Sequence, residues 1–223
     1  MSQNILKTQD IVHRYSSSLE IAFPDIDVSE AESLLILGKS GVGKTTLLHI
    51  LSGILSPTQG KVEVDGHQIF ELSTTQRDKL RGNTIGVIFQ QPHFVVSLTA
   101  LENLELATSF SSNNVTTNQM LDMMERLQIL NKQNSKVNTL SQGQLQRLSI
   151  ARACLGNPKL LLADEPTSAL DDDNAKAVID LLLQMQSDSD AALIIVTHDQ
   201  RVRSAIDNTL VLKNTNYVNP ITR

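Results

Sequence analysis

Across 223 residues the chain sets 24 acidic side chains against 19 lysines and arginines, and the net charge of −5 argues against broad nucleic-acid binding, which needs a basic footprint to displace counterions. The 40% apolar and 19% charged content suits one compact unit with a sizeable core. The longest wholly apolar runs, such as Leu34 to Leu37 and Ala191 to Val196, are strand-sized and fall short of the ~20 residues that span a bilayer.

The N-terminal stretch MSQNILKTQDIVHRY lacks the basic start and apolar core of a secretory signal, which points to a cytoplasmic protein. Strands are predicted at Ile5 to Thr8, Leu19 to Phe23, Ser33 to Leu37 and Lys61 to Val64, with an Asp65-Gly66 turn after the last; together they read as a small antiparallel region. Between the third and fourth of these runs lies GKSGVGKTT, Gly38 to Thr46, followed by the helix-like Leu47 to Leu51. Glycines at this spacing let the backbone curl with positive φ, so that successive amides converge on an anion. The cradle formed by Gly38, Lys39, Ser40, Gly41, Val42, Gly43, Lys44, Thr45 and Thr46 suits a triphosphate. Lys44 offers a charge to the β- and γ-phosphates, Thr45 a hydroxyl to Mg²⁺, and the following helix its N-terminal amides. The histidines at 13, 49, 67, 93 and 198 have no zinc-like spacing, so a metal is expected to arrive with the nucleotide.

A further apolar strand, Ile85 to Gln90, ends at Gln91-Pro92, because proline removes a donor and disfavours helix before it. Residues 99 to 156 carry helical periodicity through Leu101, Leu104, Met120, Met124, Leu127, Leu145 and Leu148, with an exposed polar loop expected over SFSSNNVTTN, Ser109 to Asn118. Cys154 is alone, so no internal disulfide forms, and it falls in the apolar pattern of the last helix. From Lys159 onward, LLLA at 160 to 163 and LIIV at 193 to 196 have the unbroken apolar character of parallel strands buried on both faces, separated by a helix over Asn174 to Gln186. This is α/β architecture. Asp164 and Glu165 close the first of these strands, where open parallel sheets bind ligands. Asp164 is positioned to hold Mg²⁺ through water, and Glu165 to deprotonate the water that attacks a γ-phosphate. TLSQGQLQR, Thr139 to Arg147, reads as a helix start with Ser141 as N-cap and Gly143 permitting close backbone approach.

In chain order the sequence shows GKSGVGKT, Phe89-Gln90, LSQGQ, LLLADEPT, SALD at Ser168 to Asp171 and Thr197-His198. This set resembles the ATP-binding-cassette (ABC) family, whose signature is LSGGQ, from about Tyr15 to about Asp199. The resemblance implies a P-loop NTPase core of RecA-like type, an N-terminal antiparallel β subdomain and an inserted α-helical subdomain. It implies one ABC ATPase domain over 1–223, with a nucleotide-binding core of 1–90 and 157–223 and a helical part of 91–156 carrying the signature. ATP and Mg²⁺ are the implied ligands. Two copies of such a domain typically pair head to tail over ATP. By resemblance, Ser141, Gly143 and Gln144 contact the nucleotide on the partner copy. Gln90 approaches Mg²⁺ and the attacking water, and His198 braces the γ-phosphate. Asp171 lies in the loop linking the two sites, and Tyr15, 23 residues before Gly38, stacks on adenine. Gln142 departs from the pattern by placing a side chain where the family has glycine.

SLTALENLELA, Ser97 to Ala107, resembles the membrane-facing region of one branch, the ATPase subunits of lipoprotein-release, macrolide-export and cell-division complexes. An amphipathic helix that simply covers the core fits its leucine spacing equally well. The implied function is an ATP-hydrolysing subunit on the inner face of the cell membrane, working as a homodimer beneath a separate integral membrane permease. The alternative is a regulatory ABC ATPase without transport. The segment after His198, ending in NTNYVNPITR, is read as lacking the regulatory domain that some importer ATPases append.

Overall fold

Alternation along three short apolar runs builds the centre of the molecule. The computed structural model describes residues 3–16, 19–109, 113–168 and 170–213, and the backbone of 217–218. Strands β4 (Ser33–Leu37), β8 (Leu160–Asp164) and β9 (Ala192–Thr197) lie side by side in a parallel sheet, flanked by β7 (Ile85–Ile88) and β10 (Thr209–Val211) in the order β10-β4-β9-β8-β7. Because successive side chains point to opposite faces, Leu35, Leu37, Leu161, Ala163, Leu193 and Ile195 enter one core, and Leu34, Ile36, Leu160, Leu162, Ile194 and Val196 enter another. Burial on both faces is what the unbroken apolar runs required.

One face is covered by an antiparallel sheet and by α1 (Lys44–Leu51). That sheet runs β11-β2-β1-β5-β6, with β3 also on β1, through β1 (Asn4–Ser16), β2 (Leu19–Ala22), β3 (Asp27–Ser29), β5 (Gln59–Val64), β6 (His67–Gln68) and β11 (Tyr217–Val218). Asp65-Gly66 turns β5 into β6, as predicted. The other face is covered by α3 (Ala100–Thr108), α4 (Thr117–Arg126), α5 (Gln142–Cys154) and α6 (Asp172–Ser189). Helices α3, α4 and α5 each open on a reciprocal capping box, Thr99 with Glu102, Thr116 with Gln119 and Ser141 with Gln144. Each box satisfies amides that the first turn leaves unpaired. Among the described residues no helix is long and apolar enough to cross a membrane.

The elements differ from the sequence expectation in several places, among them the unpredicted short strands β3, β6, β10 and β11 and the end of β7 at Ile88 in place of Gln90. Strand β1 runs 13 residues, well past Thr8, because Asp10 takes a left-handed φ of 52° and the register slips between Gln9 and Val12, which breaks the alternation that marks a strand. Helix α2 (Thr74–Thr84) was not anticipated: TTQRDKLRGNT buries only Thr84, so it has no apolar stripe to read, although Ser73 and Gln76 form its capping box. Thr116 caps α4, so the helix starts inside the stretch expected as loop, of which residues 110–112 lie outside the described part. Helix α6 extends beyond 174–186 at both ends. Cys154 packs against the core, and burial pushes its thiol up to about 12, which leaves it inert at neutral pH.

Candidate nucleotide-binding site

The parallel register brings four strand ends to one edge: Leu37 pairs with Thr197, Asp164 with Val196, and Ile88 with Ala163. The glycine loop, Glu165, His198 and Phe89-Gln90 therefore leave the sheet together, at the carboxyl ends where such sheets bind ligands. Gly41 and Gly43 have φ of 82° and 95°, the left-handed turn that aims loop amides inward, and Gly43 passes the chain into α1. Lys44, only 6% exposed, folds back over the loop and donates to the carbonyls of Gly38 (2.8 Å) and Lys39 (3.1 Å). Lys39, Ser40, Gly41 and Thr45 are exposed, and Val42 anchors the loop from beneath.

Glu165 follows the last residue of β8 with a left-handed φ of 47°, which turns its buried carboxylate back toward the loop. Lys44 Nζ lies 3.3 Å from Oε1, His198 Nδ1 is 2.8 Å from the same oxygen, and the Thr197 hydroxyl donates to Oε2 at 2.7 Å. Burial alone raises the Glu165 pKa, but hydrogen bonds from His198 and Thr197 and the Lys44 charge outweigh it and hold the carboxyl below its ordinary range. Asp164 shows the opposite balance. It is 2% exposed, and burial raises its pKa despite a hydrogen bond with Thr45, with the adjacent Glu165 adding to the rise. Its Oδ1 is buried and accepts no hydrogen bond. An acceptor left so in a protein interior costs about 1–3 kcal/mol unless something else satisfies it.

The remaining predicted residues divide by location. Gln90 and Glu165 line one cavity of 370 Å³ together with Gln142 and Gln146 from α5. The Tyr15 ring is half exposed, and its hydroxyl hydrogen-bonds Thr46, so it stands over the start of α1. Ser141 and Gln144 bond to each other in the α5 cap, and a Cβ on Gly143 would meet nothing nearer than Asn174 Oδ1 at 4.0 Å. Among the described residues, no backbone outside its own helix comes within 4 Å of that Cβ. Asp171 caps α6, its two oxygens taken by the amide and side chain of Asn174; Ala169, two residues before it, lies outside the described part. The loop, Asp164, Glu165 and His198 thus form one cluster, while Ser141, Gly143 and Asp171 present themselves elsewhere.

A sequence model described as ABC transporter matches residues 24–168, well over half of the chain. The chain belongs to the ABC transporter family. Two similar curated ABC proteins are the lipoprotein-releasing system ATP-binding protein LolD of Psychrobacter arcticus, 37% identical over 198 residues that cover 87% of this chain and 88% of that protein, and LolD of Xanthomonas oryzae, 38% identical over 190 residues that cover 84% and 78%. Solved ABC cassettes share the fold. The post-hydrolysis dimer of MJ0796 bound to ADP and Pi superposes with a TM-score of 0.84 at 29% identity, covering 98% of this chain and all of that one. For cbiO1 of Clostridium perfringens the TM-score is 0.84 at 28% identity, over 97% of this chain and 87% of that one. The chain is accordingly a nucleotide-binding ABC ATPase subunit that is similar to the lipoprotein-release branch.

Sequence reading gave no role to several polar residues that support this ABC site. Thr197 and Thr167 are fully buried. Asp199 accepts from the Thr167 hydroxyl at 2.7 Å and from Arg201 Nε at 2.9 Å. The available signal was Thr197 itself, a polar residue closing a wholly apolar strand, which needs a partner inside. The Arg201 guanidinium pulls the Asp199 pKa down to about 2 from an ordinary 3.8. A lowered folded-state pKa means that this stabilisation is present above pH 4 and is lost as pH falls through 2. We therefore expect the urea-midpoint deficit of Asp199→Asn relative to the parent to be widest between pH 5 and 7 and to narrow between pH 4 and 2; a deficit constant with pH would rule this out.

Proposed function

We propose that two copies of this chain close head to tail over two ATP molecules, and that closure moves a separately encoded membrane permease of the lipoprotein-releasing type while hydrolysis reopens the pair. The observation that carries this reading is the buried carboxylate of Glu165, held by Lys44, Thr197 and His198 at the mouth of the phosphate loop. In it, 1–90 and 157–223 form the nucleotide-binding core and 91–156 the helical part. The chain works at the inner face of the membrane as a peripheral subunit.

Within each site, Gly38 to Thr46 bind the triphosphate through amides and Lys44. Glu165, kept ionised by its hydrogen bonds, takes the proton of the attacking water at a carboxylate oxygen, and His198 braces the γ-phosphate. Tyr15 stacks on adenine. Ser141, Gly143 and Gln144 meet the nucleotide of the other copy, and Asp171 lies between the two sites. Gly143 supports this arrangement, since a position with open space in its own chain has no internal need for glycine. The residues also fit Mg²⁺: Asp164 Oδ1 is a buried acceptor without a partner, beside the Thr45 hydroxyl. Thr45, Gln90 and, through water, Asp164 would hold the ion, which offsets negative charge on the phosphate oxygens.

The 37% identity to LolD proteins weighs for a transporter subunit over a regulatory ATPase. Isolation of tagged Glu165→Gln protein with Mg-ATP from gently solubilised membranes tests the reading. A multi-helix membrane protein should co-purify in stoichiometric amount. Recovery of soluble proteins alone, with the chain absent from membranes, would overturn it.

A further inference from the structure

A run of hydrogen bonds leads from Glu165 to the start of α6. The Thr197 hydroxyl donates to Glu165 Oε2 at 2.7 Å and accepts from the amide of Asp199 at 3.0 Å. Asp199, with a side chain 10% exposed, accepts from the Thr167 hydroxyl at 2.7 Å and from the Nε and Nη2 sides of Arg201 at 2.9 and 2.7 Å. Arg201 Nη1 then reaches Asp172 Oδ1 at 2.5 Å. The loop after Glu165 is therefore fastened twice to one short segment: at Thr167 by Asp199, and beyond Asp171 by Arg201. The planar guanidinium holds its N–H groups in a fixed fork, one edge toward Asp199 and Nη1 toward Asp172.

We infer that Arg201 is a positioning residue for ATP hydrolysis, a staple that makes the Asp171 loop move with the segment carrying His198. The inference rests on the proposed head-to-tail dimer, in which that loop lies between the two sites. Thr167 and Asp199 alone fasten only the near end of the loop. Arg201 fastens the far end, where Asp171 caps α6. The Asp172 contact contributes geometry, because Asp172 is 89% exposed and an ion pair so open to water adds little to folding. For Asp172→Asn, which leaves the Arg201–Asp199 pair in place, the expected signature is thus a loss of turnover without a matching loss of stability or nucleotide affinity.

The test measures ATPase kcat, KM, Hill coefficient and melting temperature for the parent, Arg201→Gln, Arg201→Lys, Asp172→Asn and the Arg201→Gln/Asp172→Asn double variant. Arg201→Gln should lower kcat by about 3- to 10-fold with KM within about twofold, and bring the Hill coefficient toward 1. Asp172→Asn, a change at an exposed side chain that leaves the fold intact, should do the same. The double variant should be no slower than the worse single one, as expected when both substitutions break one link. Lysine at 201 should recover only part of the rate, because its donors share one nitrogen and lack the rigid fork that spans Asp199 and Asp172. Additive losses in the double variant, an Asp172→Asn protein as fast as the parent, or an Arg201→Gln kcat within about twofold of the parent would overturn the inference. The two levels of failure are distinct. A parent without ATPase activity, or without ATP-dependent dimers in the Glu165→Gln background, sinks the proposed function as well; an active dimeric parent matched by Arg201→Gln sinks the staple alone.

Discussion

Glu165→Gln protein mixed with Mg-ATP should elute from gel filtration at twice its 24.5 kDa monomer mass, while its turnover should fall by roughly 10²- to 10⁴-fold, the range that a positioned general base supplies. Local structure makes this a clean substitution. Glutamine keeps the length of the side chain, its carbonyl oxygen still accepts from the Thr197 hydroxyl, and the left-handed turn at position 165 is no harder for glutamine than for glutamate. What disappears is the negative charge 3.3 Å from Lys44 and the capacity to take a proton from water. Freed of that charge, Lys44 should give its full attraction to the phosphates, so that in the proposed dimer ATP should stay bound and the two copies closed. Gel filtration and a phosphate-release assay check both halves. Turnover equal to that of the parent would remove Glu165 from the role of base.

The features that were legible in the sequence share one property: each is encoded by neighbours along the chain. The glycine loop, the buried strands Leu160–Asp164 and Ala192–Thr197, and the helix cap at Ser141 all follow from local spacing and from the demand that buried or terminal backbone groups be satisfied. The same logic explains what escaped. Helix Thr74–Thr84 has almost no buried side chain, so only its cap announces it. Strand Asn4–Ser16 hides behind a register slip. The contacts from Thr167 to Asp199 and from Asp172 to Arg201 join residues 32 and 29 positions apart, and no spacing rule predicts which acid an exposed arginine will choose. Cluster membership was therefore readable for Lys44, Asp164, Glu165 and His198, whereas the residues that hold the cluster in place emerged only from the fold.

Lys44→Ala should be the most damaging change for nucleotide binding. Lys44 Nζ reaches over the loop as a charged donor, and hydrogen bonds to charged groups are worth roughly 1.5–3 kcal/mol each. Loss of two such contacts to phosphate oxygens lowers ATP affinity by about 10²-fold or more, at about 1.4 kcal/mol per factor of ten. The same substitution acts on the protein alone. It leaves Glu165 buried without its cation, a situation that costs about 3–5 kcal/mol when nothing else compensates. Here Thr197 and His198 still donate to the carboxylate, so the cost falls below that range, and the Glu165 pKa rises because one of the influences lowering it is gone. Thermal melts separate the two effects. The variant should unfold slightly below the parent without nucleotide. On adding Mg-ATP at about 100 times the parent's Kd, the parent gains the stability of a ligand that binds only the folded state, about 2.7 kcal/mol, and the variant gains almost none. An equal ATP-induced shift in both proteins would mean that Lys44 holds the loop together without binding the phosphates.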